Sequence, residues 1–232
     1  MCRTGLAFWA RGILLVAGVR VETHHFTMGR ESETREAFAD SMNAPVPSVF
    51  VSNHQSALDI PILLTALLGT HDVRFMAKES LFKIPFLGWG MAGNGFIPIR
   101  RESARAAAET FMKITARNGA GFSYIVFPEG TRSDDGHMQE FKRGAIALVM
   151  RLKRPLVPVA LIDACRANPK GQLRVRSGTV RVVIGDALPP DEAALETDDR
   201  AYREKITAQL ALSIAALLPE DQKPCPASSP ST

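Results

Sequence analysis

The sequence predicts an α/β fold: a mostly parallel central sheet flanked by helices, with an amphipathic N-terminal helix. Short apolar runs recur along the chain, each bounded by turn residues, which is the mark of buried strands. Stretches of helical periodicity separate them, and strand alternating with helix places parallel strands under helices on both faces. Three scattered cysteines, Cys2, Cys165 and Cys225, have no CxxC spacing. They argue against a disulfide framework or a zinc site and suit a reducing compartment.

Taken in order, the first segment is "GLAFWARGILLVAGVRV". Arg11 interrupts it, so the uninterrupted part falls far short of a membrane span, and no small-residue cleavage site follows it. As a helix it sets Leu6, Trp9, Ile13 and Val16 on one stripe with Arg11 opposite. That stripe suits either packing on the protein's own core or lying in a membrane interface, with Trp9 at headgroup level. Residues 29–47 are polar and end in two prolines, which reads as an exposed connection. Strands are expected at Val49–Ser52, Val73–Ala77, Phe96–Ile99, Ser123–Phe127 and Leu156–Ile162. Helices are expected at Asp59–Leu68, Ser103–Arg117 and Phe141–Leu152, the second stopped by Gly119. "QLRVRSGTVRVVIGD" alternates Arg and Val around Ser177-Gly178 and reads as a hairpin at the sheet's edge. A last helix, about Asp199–Leu218, carries Ile206, Leu210, Ile214 and Leu217 on one side. The expected organisation is residues 1–47 as N-terminal helix and polar connection, one domain over 48–218, and a disordered Pro/Ser-rich tail over 219–232.

The 46% apolar and 22% charged content exclude global disorder. The formal charge of +4 points to an anionic partner: membrane lipid, a phosphorylated substrate or nucleic acid. Nucleic acid fits poorly, because the basic residues are dispersed and only two Trp and two Tyr are available for stacking.

Three polar constellations stand at the ends of expected strands, where open α/β sheets bind ligands. The first is "NHQSALD", with His54 five residues before Asp59. A neutral imidazole accepts a proton near neutral pH, and a carboxylate on its other nitrogen fixes the tautomer. The spacing alone suits equally a turn in which Asn53 and His54 cap the following helix. The second, "FPEGTRS" from Phe127 to Ser133, offers a tight turn with bare amides, a hydroxyl and a guanidinium, which suits phosphate. The other reading is a surface turn in which Glu129 and Arg132 pair locally. The third, "GNGFIPIRR", ends in Arg100 and Arg101, which point to opposite sides of a strand, so at most one faces a given pocket. A serine hydrolase would need a GxSxG elbow, a metalloenzyme HExxH or clustered His/Cys, and a nucleotide-binding protein GxGxxG or GxxxxGK[ST]. GxSxG, HExxH and GxxxxGK[ST] do not occur in the chain, no His/Cys set clusters at metal-ligand spacing, and the "GAGF" after Asn118 is not GxGxxG.

The order of the blocks resembles the glycerolipid acyltransferase family, and its closest branch looks like the 1-acylglycerol-3-phosphate O-acyltransferases. The blocks are Asn53 to Asp59, Gly95 to Arg101, Phe127 to Ser133 and "VPVAL" from Val157 to Leu161, joined by "AKESLFKIPFLGW" and "FKRG". The resemblance covers roughly residues 49–185 and implies that His54 is the general base and Asp59 its orienting partner. It implies that Arg101, Glu129, Gly130, Thr131 and Arg132 hold the phosphate of lysophosphatidic acid, with Lys78 and Lys142 as electrostatic helpers. Backbone amides near His54 or the Gly130 turn would stabilise the oxyanion. The acyl donor would be acyl-CoA or acyl carrier protein, a substrate rather than a cofactor, and no metal is implied. Pro98 and Arg100 differ from the family's usual second block, so another lyso-lipid acceptor, such as a lyso-ornithine lipid, stays open. So does a non-catalytic lipid-binding protein on a decayed fold. The resemblance implies peripheral or monotopic contact with an anionic membrane surface, on its cytoplasmic face, through the first helix.

Overall fold

The computed structural model describes residues 3–27, 30–32, 46–83, 87–99, 104–118, 121–172, 174–191 and 200–224. Strands β1 (Val19–Thr27), β2 (Arg30–Ser32), β3 (Val49–Ser52), β4 (Val73–Lys78), β5 (Ile97–Ile99), β6 (Ser123–Val126), β7 (Leu156–Ile162) and β8 (Gly178–Ile184) form one sheet. Their spatial order is β2-β1-β8-β7-β3-β6-β4-β5. The five strands from β7 to β5 are mutually parallel, so their C-terminal ends share one edge. β8 runs antiparallel to β7 and parallel to β1. The helices are α1 (Arg3–Ala17), α2 (Asp59–Leu67), α3 (Leu87–Gly93), α4 (Ala104–Asn118), α5 (Arg143–Met150), the short α6 (Ala164–Ala167) and α7 (Arg200–Leu217).

Strand alternation divides the core into two layers, because successive side chains point to opposite faces. Phe50, Val157, Val159, Leu161, Val180 and Val182 face one layer, where they meet Leu6, Ala10 and Leu14 of α1 and Ile62, Leu63 and Leu67 of α2. Val49, Val51, Tyr124, Val126, Ala160 and Ile162 face the other, against Phe111 of α4, Ile146 of α5 and Ile206, Leu210 and Ile214 of α7. β3 and β7 are buried on both faces. Their apolar runs are therefore continuous rather than alternating.

Four expectations are corrected. The Arg/Val stretch is no edge hairpin: it yields the single strand β8, set inside the sheet between β1 and β7. Its neighbour β1, "VRVETHHFT", is too polar to read as a strand, and without it β8 looks like an edge. In α1 the buried stripe is Leu6, Ala10 and Leu14, while Trp9 and Ile13 are half-buried beside it and Val16 is 92% exposed. Phe8 and Leu15, 81% and 83% exposed, flank Arg11 on the outward face. Both readings of this helix therefore have a face to rest on. The tail is ordered further than expected: Glu220–Gln222 form a 3-10 turn, held because the Gln222 side chain is buried and hydrogen-bonded. Residues 225–232, and most of the polar connection before Val46, lie outside the described residues. Asn53 and His54 do not cap α2, since its N-cap is Leu58 and no side chain caps it.

Candidate active site

β3 and β6 are neighbours in the sheet, so the chains leaving their C-terminal ends at Asn53 and Phe127 meet. Asn53 is fully buried and clamps to the strand on the other side of β3. Its Nδ2 donates to the Leu161 carbonyl at 2.9 Å, and its Oδ1 accepts the Leu161 N–H at 2.7 Å. This fixes the point from which His54 leaves the sheet.

Asp59 opens α2, where the helix N-terminus favours a carboxylate. It is fully buried, and its Oδ2 is shared by three donors. These are His54 Nδ1 at 2.7 Å, the Gln55 N–H at 2.7 Å and the Ser56 N–H at 2.9 Å. With Nδ1–H donating to a carboxylate, the lone pair of the neutral ring sits on Nε2. Nε2 makes no hydrogen bond among the described residues. The ring lies flat on Phe127, with centroids 4.1 Å apart and planes 15° apart, and keeps 12% of its side chain exposed. An imidazole held by a carboxylate on one nitrogen and by a stacked ring on its face is fixed in orientation.

Glu129 joins the two turns from below. Its carboxyl is 2% exposed, and its Oε1 accepts the His54 N–H at 3.1 Å. Burial pushes its pKa up to about 8, the nearby Asp59 charge adding to the rise while the His54 and Gln139 amides oppose it. So buried, the carboxyl ties the two turns together through the His54 N–H. Gly130 follows in the left-handed region at φ +73°, where a side chain is strained. A Cβ there would stand 2.9 Å from Lys142 Nζ, so the lysine stem crosses this glycine. Thr131 is exposed and Arg132 half-buried. The Ser133 N–H returns to the His54 carbonyl at 2.8 Å.

Four of the amides near His54 and the Gly130 turn are already engaged. Those of His54, Gln55 and Ser56 donate to Glu129 and Asp59, and that of Gly130 donates to the Phe127 carbonyl at 3.1 Å. The His54 and Glu129 turns are thus brought together, with Lys142 across the latter. Lys78 is exposed at the C-terminal end of β4, on the same sheet edge but two strands from β3. Arg101 lies outside the described residues. Among the described residues no group of three or more His, Cys, Asp or Glu could hold a metal ion. Phe127 and Asn53 sit in recognisable blocks but carried no assigned role, and no local sequence pattern signals their contacts.

The family model described as Acyltransferase matches residues 29–162. The chain belongs to this family. It is 35% identical over 171 residues to the chloroplastic 1-acyl-sn-glycerol-3-phosphate acyltransferase BAT2 of Brassica napus, covering 73% of this chain and 48% of that one. It is 33% identical to the human 1-acyl-sn-glycerol-3-phosphate acyltransferase beta, over 68% of this chain and 59% of the relative. The chain spans about half the length of the curated relatives it matches. Among solved structures it resembles the 1-acyl-sn-glycerophosphate acyltransferase PlsC of Thermotoga maritima. The TM-score is 0.65 at 25% identity, covering 89% of this chain and 77% of that one.

Proposed function

We propose that this acyltransferase moves a fatty acyl group from acyl-CoA or acyl carrier protein to the free hydroxyl of lysophosphatidic acid, giving phosphatidic acid. The observation that carries the reading is the His54 Nδ1–Asp59 Oδ2 bond at 2.7 Å, with Nε2 left to accept a proton. His54 Nε2 takes the hydroxyl proton as the hydroxyl oxygen attacks the thioester carbonyl. The tetrahedral intermediate then collapses, the C–S bond breaks, and the imidazolium returns its proton to the departing thiolate. Base catalysis of this kind is worth roughly 10²–10⁴-fold. No nucleophilic side chain is acylated, because the acceptor supplies the nucleophile, and no cofactor is required. The Lys142 ammonium beside Gly130 is placed to meet developing negative charge, while the His54, Gln55, Ser56 and Gly130 amides are engaged elsewhere. Arg132, with Arg101 and Lys78, would supply cations for the acceptor phosphate.

The outward face of α1, Phe8 and Leu15 around Arg11, supports peripheral contact with an anionic lipid surface, which the reading puts on the cytoplasmic side of a membrane. No helix among the described residues is long and apolar enough to cross a membrane. The deciding experiment is thiol release from palmitoyl-CoA in liposomes, with and without lysophosphatidic acid, for the wild type and His54→Ala. Acceptor-dependent release lost in His54→Ala, with phosphatidic acid formed, supports the reading. Turnover only with another lyso-lipid would change the acceptor. Absence of turnover with any acceptor or with an acyl carrier protein donor would leave a lipid-binding protein.

A further inference from the structure

The turn that carries His54 is also tied to the C-terminal end of the described chain. Gln55, next to His54, is fully buried and gives both hydrogens of its side-chain amide to the protein. Nε2 donates to the Gly136 carbonyl at 2.8 Å and to Gln222 Oε1 at 3.0 Å, across 167 residues of sequence. Its Oε1 accepts the Cys165 N–H at 3.3 Å. The main-chain N–H of the same residue donates to Asp59 Oδ2 at 2.7 Å. Gln55 thus connects the catalytic carboxylate directly to three other segments.

Gln222 is the centre of that connection. Its Oε1 also accepts the Asp163 N–H at 3.1 Å, and its Nε2 donates to Asp163 Oδ1 at 2.8 Å. Asp163 ends β7 with φ +68°, a conformation that Asp tolerates better than most residues. The Gln222 carbonyl accepts the Met138 N–H at 3.0 Å, on the loop that follows the Phe127–Ser133 block. α7 packs on the second core layer through Ile206, Leu210 and Ile214 and so delivers this turn to the catalytic edge of the sheet. Gln222 therefore joins the loops after β3 and β7 through its side-chain amide and the loop after β6 through its main-chain carbonyl, and such a network is high-stakes because every unpaired member costs.

We propose that Gln222 is a positioning residue, which acts through Gln55 to hold the His54–Asp59 turn in its catalytic geometry. The kinetic part rests on the acyl transfer proposed above. Gln222→Met keeps the volume and removes the side-chain bonds. It is compared with Gln55→Met, the double variant and Asp221→Ala, which loses only the exposed pair with Arg166. Two readouts are taken: steady-state kinetics with palmitoyl-CoA and lysophosphatidic acid, and amide hydrogen exchange of residues 53–59 in the protein without substrate. The expected result is a kcat loss of about tenfold in Gln222→Met with the palmitoyl-CoA KM within about twofold. Gln55→Met should match it, the double variant should be no worse than either, and Asp221→Ala should behave as wild type. Gln55 and Ser56, whose amides bond Asp59, should exchange faster in Gln222→Met at an unchanged melting temperature or after correction for the unfolded fraction. Wild-type kcat and exchange in Gln222→Met, additive losses in the double variant, or the same losses in Asp221→Ala would each overturn the proposal. If the wild type transfers no acyl group, the acceptor reading fails while the exchange comparison still decides the latch. Should Gln222→Met not fold, Gln55→Met is read alone against the same outcomes.

Discussion

Replacing Glu129 with Gln tests the buried strut directly. The carboxyl titrates near pH 8 in the folded protein, chiefly because burial disfavours the charged form, against an ordinary value of 4.5. Between those two values the folded state holds a proton that the unfolded state has released. Stability must therefore fall as pH rises through this window, by about 1.4 kcal/mol per pH unit from this group. From pH 5 to pH 7 the cost is about 3 kcal/mol, a large share of the 5–15 kcal/mol of a typical domain. Glutamine has nearly the same shape, keeps an oxygen to accept the His54 N–H and carries no titratable proton. Urea unfolding of wild type and Glu129→Gln at pH 5, 6, 7 and 8.5 measures the difference, so that every other titrating group cancels. The two proteins should be nearly equal at pH 5, and the variant should gain on the wild type by about 3 kcal/mol by pH 7. The gain should level off above pH 8. Parallel curves, or a margin that shrinks as pH rises, would refute the argument that burial holds this carboxyl neutral.

Asp59→Asn should lower kcat by roughly 10²–10⁴-fold, because an amide can donate to Nδ1 and favour the tautomer with its proton on Nε2; steady-state thiol release checks it. Arg132→Ala should raise the KM for lysophosphatidic acid while leaving that for palmitoyl-CoA unchanged, and a uniform effect on both would place the arginine elsewhere. Gly130→Ala forces a side chain to φ +73° and displaces Lys142, and should cost about 1–2 kcal/mol by chemical denaturation. Phe8→Asp combined with Leu15→Asp should weaken sedimentation with anionic vesicles without changing the melting temperature, since both side chains are exposed.

What the sequence makes legible here follows the range over which each signal acts. The strands from β3 to β7 sit in a parallel sheet with both faces covered, so their apolar runs stand out, and Leu156–Ile162 is matched at both ends. β1 is missed because its polar residues, Glu22, Thr23 and His24 among them, carry no apolar run; its place comes from pairing with β8. That is a long-range fact, and missing it turned β8 into an edge. The site divides the same way. His54 and Asp59 are five residues apart, and a spacing is enough to suggest that they meet. The same spacing fits a helix cap equally well until Asn53 is seen to be committed to Leu161, across 108 residues. Glu129 shows the limit most clearly: its place in a polar block suggests phosphate, whereas its chemistry is set by burial under a turn 75 residues earlier. A carboxyl drawn into the protein to hold a backbone amide is pushed toward its neutral form, and no spacing in the sequence reports that. If Lys142 and Arg132 meet the substrate's charge as proposed, a neutral Glu129 competes with them less than the Pro-Glu-Gly-Thr-Arg block implies.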